Sequence, residues 1–178
     1  RGFLNMKESQ GYIHLLSLIR KIHIDCFKLC KNSFGKYLPV AGNIGIFCQT
    51  EKDFNTLTGL RQKITKKTNN PNQKYYPFLK PIVIPRIKDI PQTIYTSLYI
   101  RKPSKDSPEA GDIDFVLGSG DYKKLKQKLR ERIRISGASI YNRPGWDMIE
   151  LKNPKINSLA YISTKEMAEK IRVKLKNE

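Results

Sequence analysis

The chain has 178 residues, 39% of them hydrophobic, and 34 Lys and Arg against 16 Asp and Glu, for a net charge of +18; its mean hydropathy is −0.53 and its pI about 9.9. That length and apolar content suit one globular core, and no run approaches the ~20 apolar residues of a membrane-spanning helix. Three cysteines and two histidines, with no Cys-x-x-Cys and no His–Cys cluster, exclude a disulfide framework and a zinc site and point to an intracellular, reducing compartment, cytoplasm or organelle matrix.

Residues 1–5, RGFLN, precede Met6 and read as a leftover of an expression vector. Over 8–31, apolar side chains at 12, 15, 16, 19, 22, 26, 27 and 30 form a wide helical stripe. Cys26 and Cys30 lie one turn apart on it, as small core residues. Residues 1–38 carry seven Lys/Arg against two acids, a bias shared with organellar presequences, but the stripe reads as a folded helix. The expected organisation is a helical segment over 1–38, appended to a compact α+β domain over 39–178.

NIGIFC (43–48) is a short apolar strand. Thr50, with Asp53 three residues on, starts a helix running to about Lys66. A polar, basic loop follows (66–74). KPIVIP (80–85) and QTIYTSLYIRKP (92–103) are extended, the second alternating between two faces with period two. SKDSPEA (104–110) is a loop.

GDIDFVLGSGD (111–121) reads as a strand, a Gly-Ser-Gly turn and the start of the most cationic helix, 121–134. There Tyr122, Leu125, Leu129 and Ile133 form a narrow apolar stripe. ASIY (138–141), DMIEL (147–151) and LAYI (159–162) are further strands, and Ser163 with Glu166 opens a closing helix as a capping box. The order α-β-α-β-β-β-α-β-β-β-α, without internal repeat, gives an α+β fold: a mainly antiparallel or mixed sheet of about five to seven short strands, flanked by helices, with an N-terminal helix.

Two constellations bear on chemistry. Asp112 and Asp114, two apart on a strand, share a face and can converge on one divalent cation. DIDF resembles in outline the D-x-D strand of nucleotidyltransferase-like sites, although AGNIGIF supplies no upstream Gly-Gly or Gly-Ser turn and GSG lies downstream. With Glu150 and Lys152 as an E-x-K, the same acids outline the D…E-x-K pattern of divalent-metal nucleases. Plain ion pairing of the two aspartates with nearby lysines is the simpler expectation.

The basic residues carry the leading expectation. Lys123, Lys124, Lys126, Lys128, Arg130, Arg132 and Arg134, joined by Arg101, Lys102, Arg143 and Trp146, form a polyanion surface, with Tyr75, Tyr76, Tyr95 and Tyr99 interleaved for stacking. The expected function is non-catalytic binding of nucleic acid, RNA foremost, or of a nucleoprotein, with no cofactor. The alternatives are a nuclease or nucleotidyl-transfer enzyme using Mg²⁺ or Mn²⁺ with Asp112, Asp114, Glu150 and Lys152, and an adaptor for an acidic protein partner.

Overall fold

A computed structural model describes residues 5–176, so the reading of RGFLN falls, except for Asn5, outside the described residues. The elements follow the expected order: α1 (Met6–Phe34), β1 (Val40–Phe47), α2 (Glu51–Ile64), β2 (Tyr76–Ile84), β3 (Thr93–Arg101), β4 (Gly111–Val116), α3 (Ser119–Arg130), β5 (Ala138–Arg143), β6 (Trp146–Leu151), β7 (Leu159–Ser163) and α4 (Lys165–Lys170). The seven strands form one mixed sheet in the order β2-β3-β1-β4-β7-β6-β5, and the α+β expectation holds. No helix among the described residues is long and apolar enough to cross a membrane.

The topology contains a repeat that the sequence conceals. In each half a strand leads through a helix and further strands, the last of which returns parallel to the first: β3 beside β1, β7 beside β4. The halves meet where β1 and β4 run antiparallel, Ile44 opposite Ile113 and Gly45 opposite Asp112. Side chains that pack a helix-covered sheet need only be apolar at alternate positions, so two halves can share a path without sharing residues.

One face of the sheet is covered by α1, whose Leu15, Ile19, Ile22, Cys26 and Phe27 enter the same core as Ile44, Ile46, Leu98, Ile113, Phe115 and Ile162. α1 therefore shares one core with the sheet. A capping box between Asn5 and Glu8 starts α1, and Gly35 ends it in the left-handed region at φ 70°. Gly111 lets this helix close on the sheet, since a β-carbon there would meet the Gly45 carbonyl and the Ile22 side chain. Tyr95, expected at the surface, is fully buried in this layer, its hydroxyl hydrogen-bonded to His23 Nδ1 at 2.7 Å. All three cysteines are buried thiols.

Two helix boundaries differ from expectation. The basic helix ends at Arg130, with Glu131 as C-cap, and Arg132 adopts φ 62°, so Arg132 and Arg134 belong to the loop that follows. At α4 the cap is Thr164, whose hydroxyl accepts from the Met167 amide. Ser163 is buried at the end of β7 and donates to the Thr164 carbonyl. Both residues fit the capping preference, and the strand's claim on Ser163 decides between them.

Phe27 contacts Phe115 across the helix–sheet interface at 5.2 Å between centroids. Phe27→Ala should lower stability by about 3–5 kcal/mol, read as the midpoint of urea unfolding. A loss near zero would mean that α1 is appended to the sheet.

Candidate functional site

The site is built on the sheet face away from α1. On β4, Ile113 and Phe115 point into the core, so Asp112 and Asp114 point the other way. Alternation makes the acid pair co-facial, as the D-x-D spacing implied. Their face is not open to solvent: Asp112 is 7% exposed and Asp114 1%. They stand in a cavity of about 340 Å³, at the lower end of the ~300–1,000 Å³ usual for small-ligand sites.

Neighbouring strands supply the walls through their registers. Gly45 and Tyr99 lie level with Asp112 on β1 and β3, and Phe47 with Arg101 two residues further along. On the other side Tyr161 lies opposite Asp114, and Met148 opposite Tyr141. Trp146 and Arg143 complete the wall at the β5–β6 turn. Gly45 is a requirement of the site, because a β-carbon there would occupy the place of the Asp112 carboxylate.

The cover comes from two segments distant in sequence. The Lys74 and Tyr75 amides both donate to the Arg172 carbonyl at 2.9 and 3.0 Å, and Gln73 bridges to Val173. Tyr75, Met148 and Ile171 then form a small apolar cluster over the acids, joined by Trp146 and Tyr161. Arg172 reaches further inward: its Nε donates to Asn43 Oδ1 at 2.8 Å, while Asn43 Nδ2 donates to Asp114 Oδ2 at 2.8 Å and to the Ala168 carbonyl. The Asn43 amide orientation is thus fixed from both ends.

Three buried polar atoms around this cavity have no hydrogen-bond partner: Oδ1 of Asp112, Oδ1 of Asp114 and Nε of Arg101. The Arg101 guanidinium lies over the Phe47 ring at 3.6 Å, and its Nη2 donates to the Ser107 carbonyl at 3.4 Å. Buried polar groups are normally satisfied, so three exceptions at one place mark a site.

Burial pushes the Asp112 carboxyl well above the usual carboxylate range. The Asp114 charge adds to the rise, against the pull of Lys74 and Arg101. Burial also raises Asp114, while the Asn43 hydrogen bond, Lys74 and Arg172 oppose it. Two carboxyls in one low-dielectric cavity cannot both ionise cheaply. Burial likewise raises the Tyr161 and Tyr75 phenols, with Asp112 among the further causes for both and Asp114 for Tyr75.

The other expected residues fall in different places. Glu150 faces the same side, two strands from Asp114, and accepts from the Tyr161 hydroxyl at 3.0 Å. Lys152 pairs with Glu109 at 3.1 Å. Among the described residues no group of three or more His, Cys, Asp or Glu side chains is placed to hold a metal ion.

The expected polyanion surface is divided between the two faces. Arg101, Arg143 and Trp146 line the cavity. The basic helix lies across the sheet: Tyr122 and Lys126 of α3 bond Asp147 at 2.6 and 3.0 Å, and Asp147 alternates with the cavity-lining Trp146 and Met148. Lys102 lies near the Phe54 ring of α2, and Tyr76 under Arg61. The aspartates therefore lie on the face of the sheet opposite α3.

Asn43, Phe47, Tyr161 and Arg172 escaped the sequence reading. The first two lie in a run that reads as plain apolar strand, and Arg172 is one cation among 34. The i,i+2 spacing on adjacent strands is the one signal that could have grouped Tyr161 with the acids.

No protein-family model matches the chain, and no curated protein matches it. Among solved structures, a structural-genomics structure of protein EC4020 is similar over 94% of this chain and 97% of its own, with 13% identity and a TM-score of 0.57. That is a likeness of fold. A Streptomyces coelicolor methylmalonyl-CoA epimerase in complex with 2-nitronate-propionyl-CoA matches over 71% of this chain and 99% of its own, at 16% identity and a TM-score of 0.31, too loose a superposition to extend the comparison.

A carboxyl whose folded pKa is raised gives a folded state that binds more protons than the unfolded one. Stability therefore falls as pH rises from about 4, the unfolded value. Asp112→Asn should raise stability at pH 8 by about 1 kcal/mol or more, ~2–4 °C in Tm per kcal/mol for a chain of this size, and flatten the decline of Tm with pH. Asp121→Asn, at an exposed position, is the control. An Asp112→Asn protein less stable than wild type at pH 8 would make Asp112 a structural residue.

Proposed function

We propose that the concave cavity is the active site of an enzyme that moves protons on a small organic molecule, with Asp112 and Asp114 as its acid and base. The observation that carries this reading is the pair of buried carboxyl residues in the wall of one cavity, each with an oxygen that has no hydrogen-bond partner. Leaving such groups unsatisfied costs several kcal/mol, and strongly perturbed groups in a cleft mark functional sites.

The environments divide the roles. Asp114 receives the Asn43 hydrogen bond and feels Arg172, so it ionises first and serves as base. Asp112 has the neighbouring Asp114 charge against it, keeps its proton to higher pH and serves as acid. Separated proton affinities in adjacent carboxyls are how one site does both tasks. Arg101 and Arg143 supply positive charge for a substrate acid group, and the aromatic wall accepts a flat or apolar body. Glu150 fixes the Tyr161 ring by its hydrogen bond and stands outside the proton path.

A thermal-shift screen of small metabolites, with products followed by mass spectrometry, tests the proposal. At least one stabilising compound should be converted, and both Asp112→Asn and Asp114→Asn should lower the rate ~10²–10⁴-fold. Mg²⁺ and Mn²⁺ should neither stabilise the protein nor be needed for turnover. Ligands that bind and are never altered would overturn the enzyme reading, and a metal requirement abolished by either variant would favour metal-assisted chemistry.

A second reading concerns the opposite face. Lys123, Lys124, Lys128 and Arg130 of α3 are exposed, in a chain of net charge +18, which supports binding of a polyanion such as single-stranded RNA. Affinity for a 20-nucleotide RNA should fall steeply with salt by counterion release and be lost when Lys124, Lys128 and Arg130 are changed to Glu. Binding that is weak and indifferent to these changes would leave the face as a solvated surface. Preference for polyglutamate would assign it to an acidic protein.

A further inference from the structure

We propose that the end of α3 and the loop after it dock on an anionic membrane surface, with Ile133 entering the lipid boundary and the cations of α3 meeting the headgroups. The inference stands apart from the cavity and its chemistry, and it begins with a backbone outlier. Arg132 has φ 62°, in the left-handed region where glycine is the unstrained residue. It closes α3: the Arg132 amide donates to the Leu129 carbonyl at 3.1 Å, and the Ile133 amide to the Lys128 carbonyl at 2.9 Å. That is the glycine-favouring end of a helix with an arginine in the glycine's place. A residue strained where glycine would serve marks a side chain with a task.

The same turn fixes Ile133. In this kind of cap the residue after the left-handed one commonly packs back on the helix, whereas Ile133 stays 48% exposed. Leu129, Ile135 and Ala138 beside it pack against the core, and Ile133 is left as the apolar point of the loop. The far end of the loop is tied down. The Ser33 hydroxyl donates to the Ser136 carbonyl at 2.6 Å, and the Lys152 amide to the Gly137 carbonyl at 3.0 Å. An apolar residue held in one place loses little entropy when a partner buries it.

Charge selects the partner. Arg132 and Arg134 flank Ile133, and Lys123, Lys124, Lys128 and Arg130 are exposed on the helix before it. Of the acids in this stretch, Glu131 accepts from Gln127 Nε2 at 2.6 Å, and Asp121 lies in the first turn of the helix. The depression beside the loop is lined by aliphatic side chains between the two arginines, without an aromatic ring among the described residues. A single-stranded nucleic acid gains from stacking on rings; here it would use the cations alone and leave Ile133 in water. An anionic bilayer uses both, its headgroups for the cations and its acyl boundary for the isoleucine. Each cation near such a surface strengthens attachment about fivefold. Several of them with one isoleucine give reversible binding to the surface.

The test is co-sedimentation of the whole protein with vesicles of phosphatidylcholine alone and of phosphatidylcholine with about one third phosphatidylserine. The anionic vesicles should bind about tenfold more tightly or better, and less so as salt rises. Ile133→Ala leaves the charge unchanged and should weaken binding about tenfold. Arg132→Gly should weaken it about fivefold while melting no lower than wild type, because glycine relieves the backbone; an arginine with a structural role alone would not show that split. Absence of binding, equal binding to both vesicles, or binding indifferent to Ile133→Ala overturns the inference. A single-stranded RNA that strips the protein from the vesicles, with an affinity that Ile133→Ala leaves unchanged, assigns the surface to RNA instead. None of these outcomes touches the reading of the cavity.

Discussion

The antiparallel pairing of β1 with β4 joins the two halves of the sheet and sets Gly45 directly opposite Asp112. From that register follow the co-facial aspartates, the strands that flank them and the side of the sheet on which α1 must pack. Gly111 and Gly45 serve the two sides of this seam: one admits the helix, the other leaves room for a carboxylate. A slip of one residue would turn both acids into the core and Ile113 into the cavity. The packing of Ile113 and Phe115 against α1 therefore holds the acids in place as well as stabilising the fold.

The site runs against the interest of stability. Two carboxyls are enclosed under Tyr75, Met148 and Ile171, and one oxygen of each has no partner. What offsets this is indirect: the Asn43–Arg172 chain satisfies the second oxygen of Asp114, and Lys74 and Arg101 supply positive potential. Asp147 shows the contrasting arrangement. Against the cost of its own burial, the Tyr122 hydroxyl and Lys126 hold its carboxyl below the usual range, and it fastens α3 to β6.

Much of the fold was legible in the sequence because it rests on local rules. The stripe of α1, the Thr50 cap and the two-residue alternation of β3 and β4 follow from periodicities of 3.6 and 2. The duplicated topology was not legible, since strand order depends on partners far apart in sequence. The acid pair was visible as a spacing, but its surroundings were not. Exposure of alternate residues is the usual fate of a strand's second face, and here the cover from residues 72–75 and 171–175 helps to bury the acids. Charge misled for a related reason. Arg101 and Lys102 are neighbours in sequence, and a strand sends them to opposite faces, so a cationic composition reads as one surface where the molecule has two.

Arg172 takes part in two separate structures at once. Its carbonyl receives the amides of Lys74 and Tyr75, which close the roof, and its guanidinium orients Asn43, which in turn bonds Asp114. The backbone and side chain of one residue thus couple admission to the cavity with the basicity of the group inside it. Displacing this residue would remove a positive charge that favours the ionised Asp114 and would also relieve the burial that disfavours it, two effects of opposite sign on one carboxyl. The roof and the acid beneath it thus share one anchoring residue, near the end of the chain farthest in sequence from the helix on which the core is built.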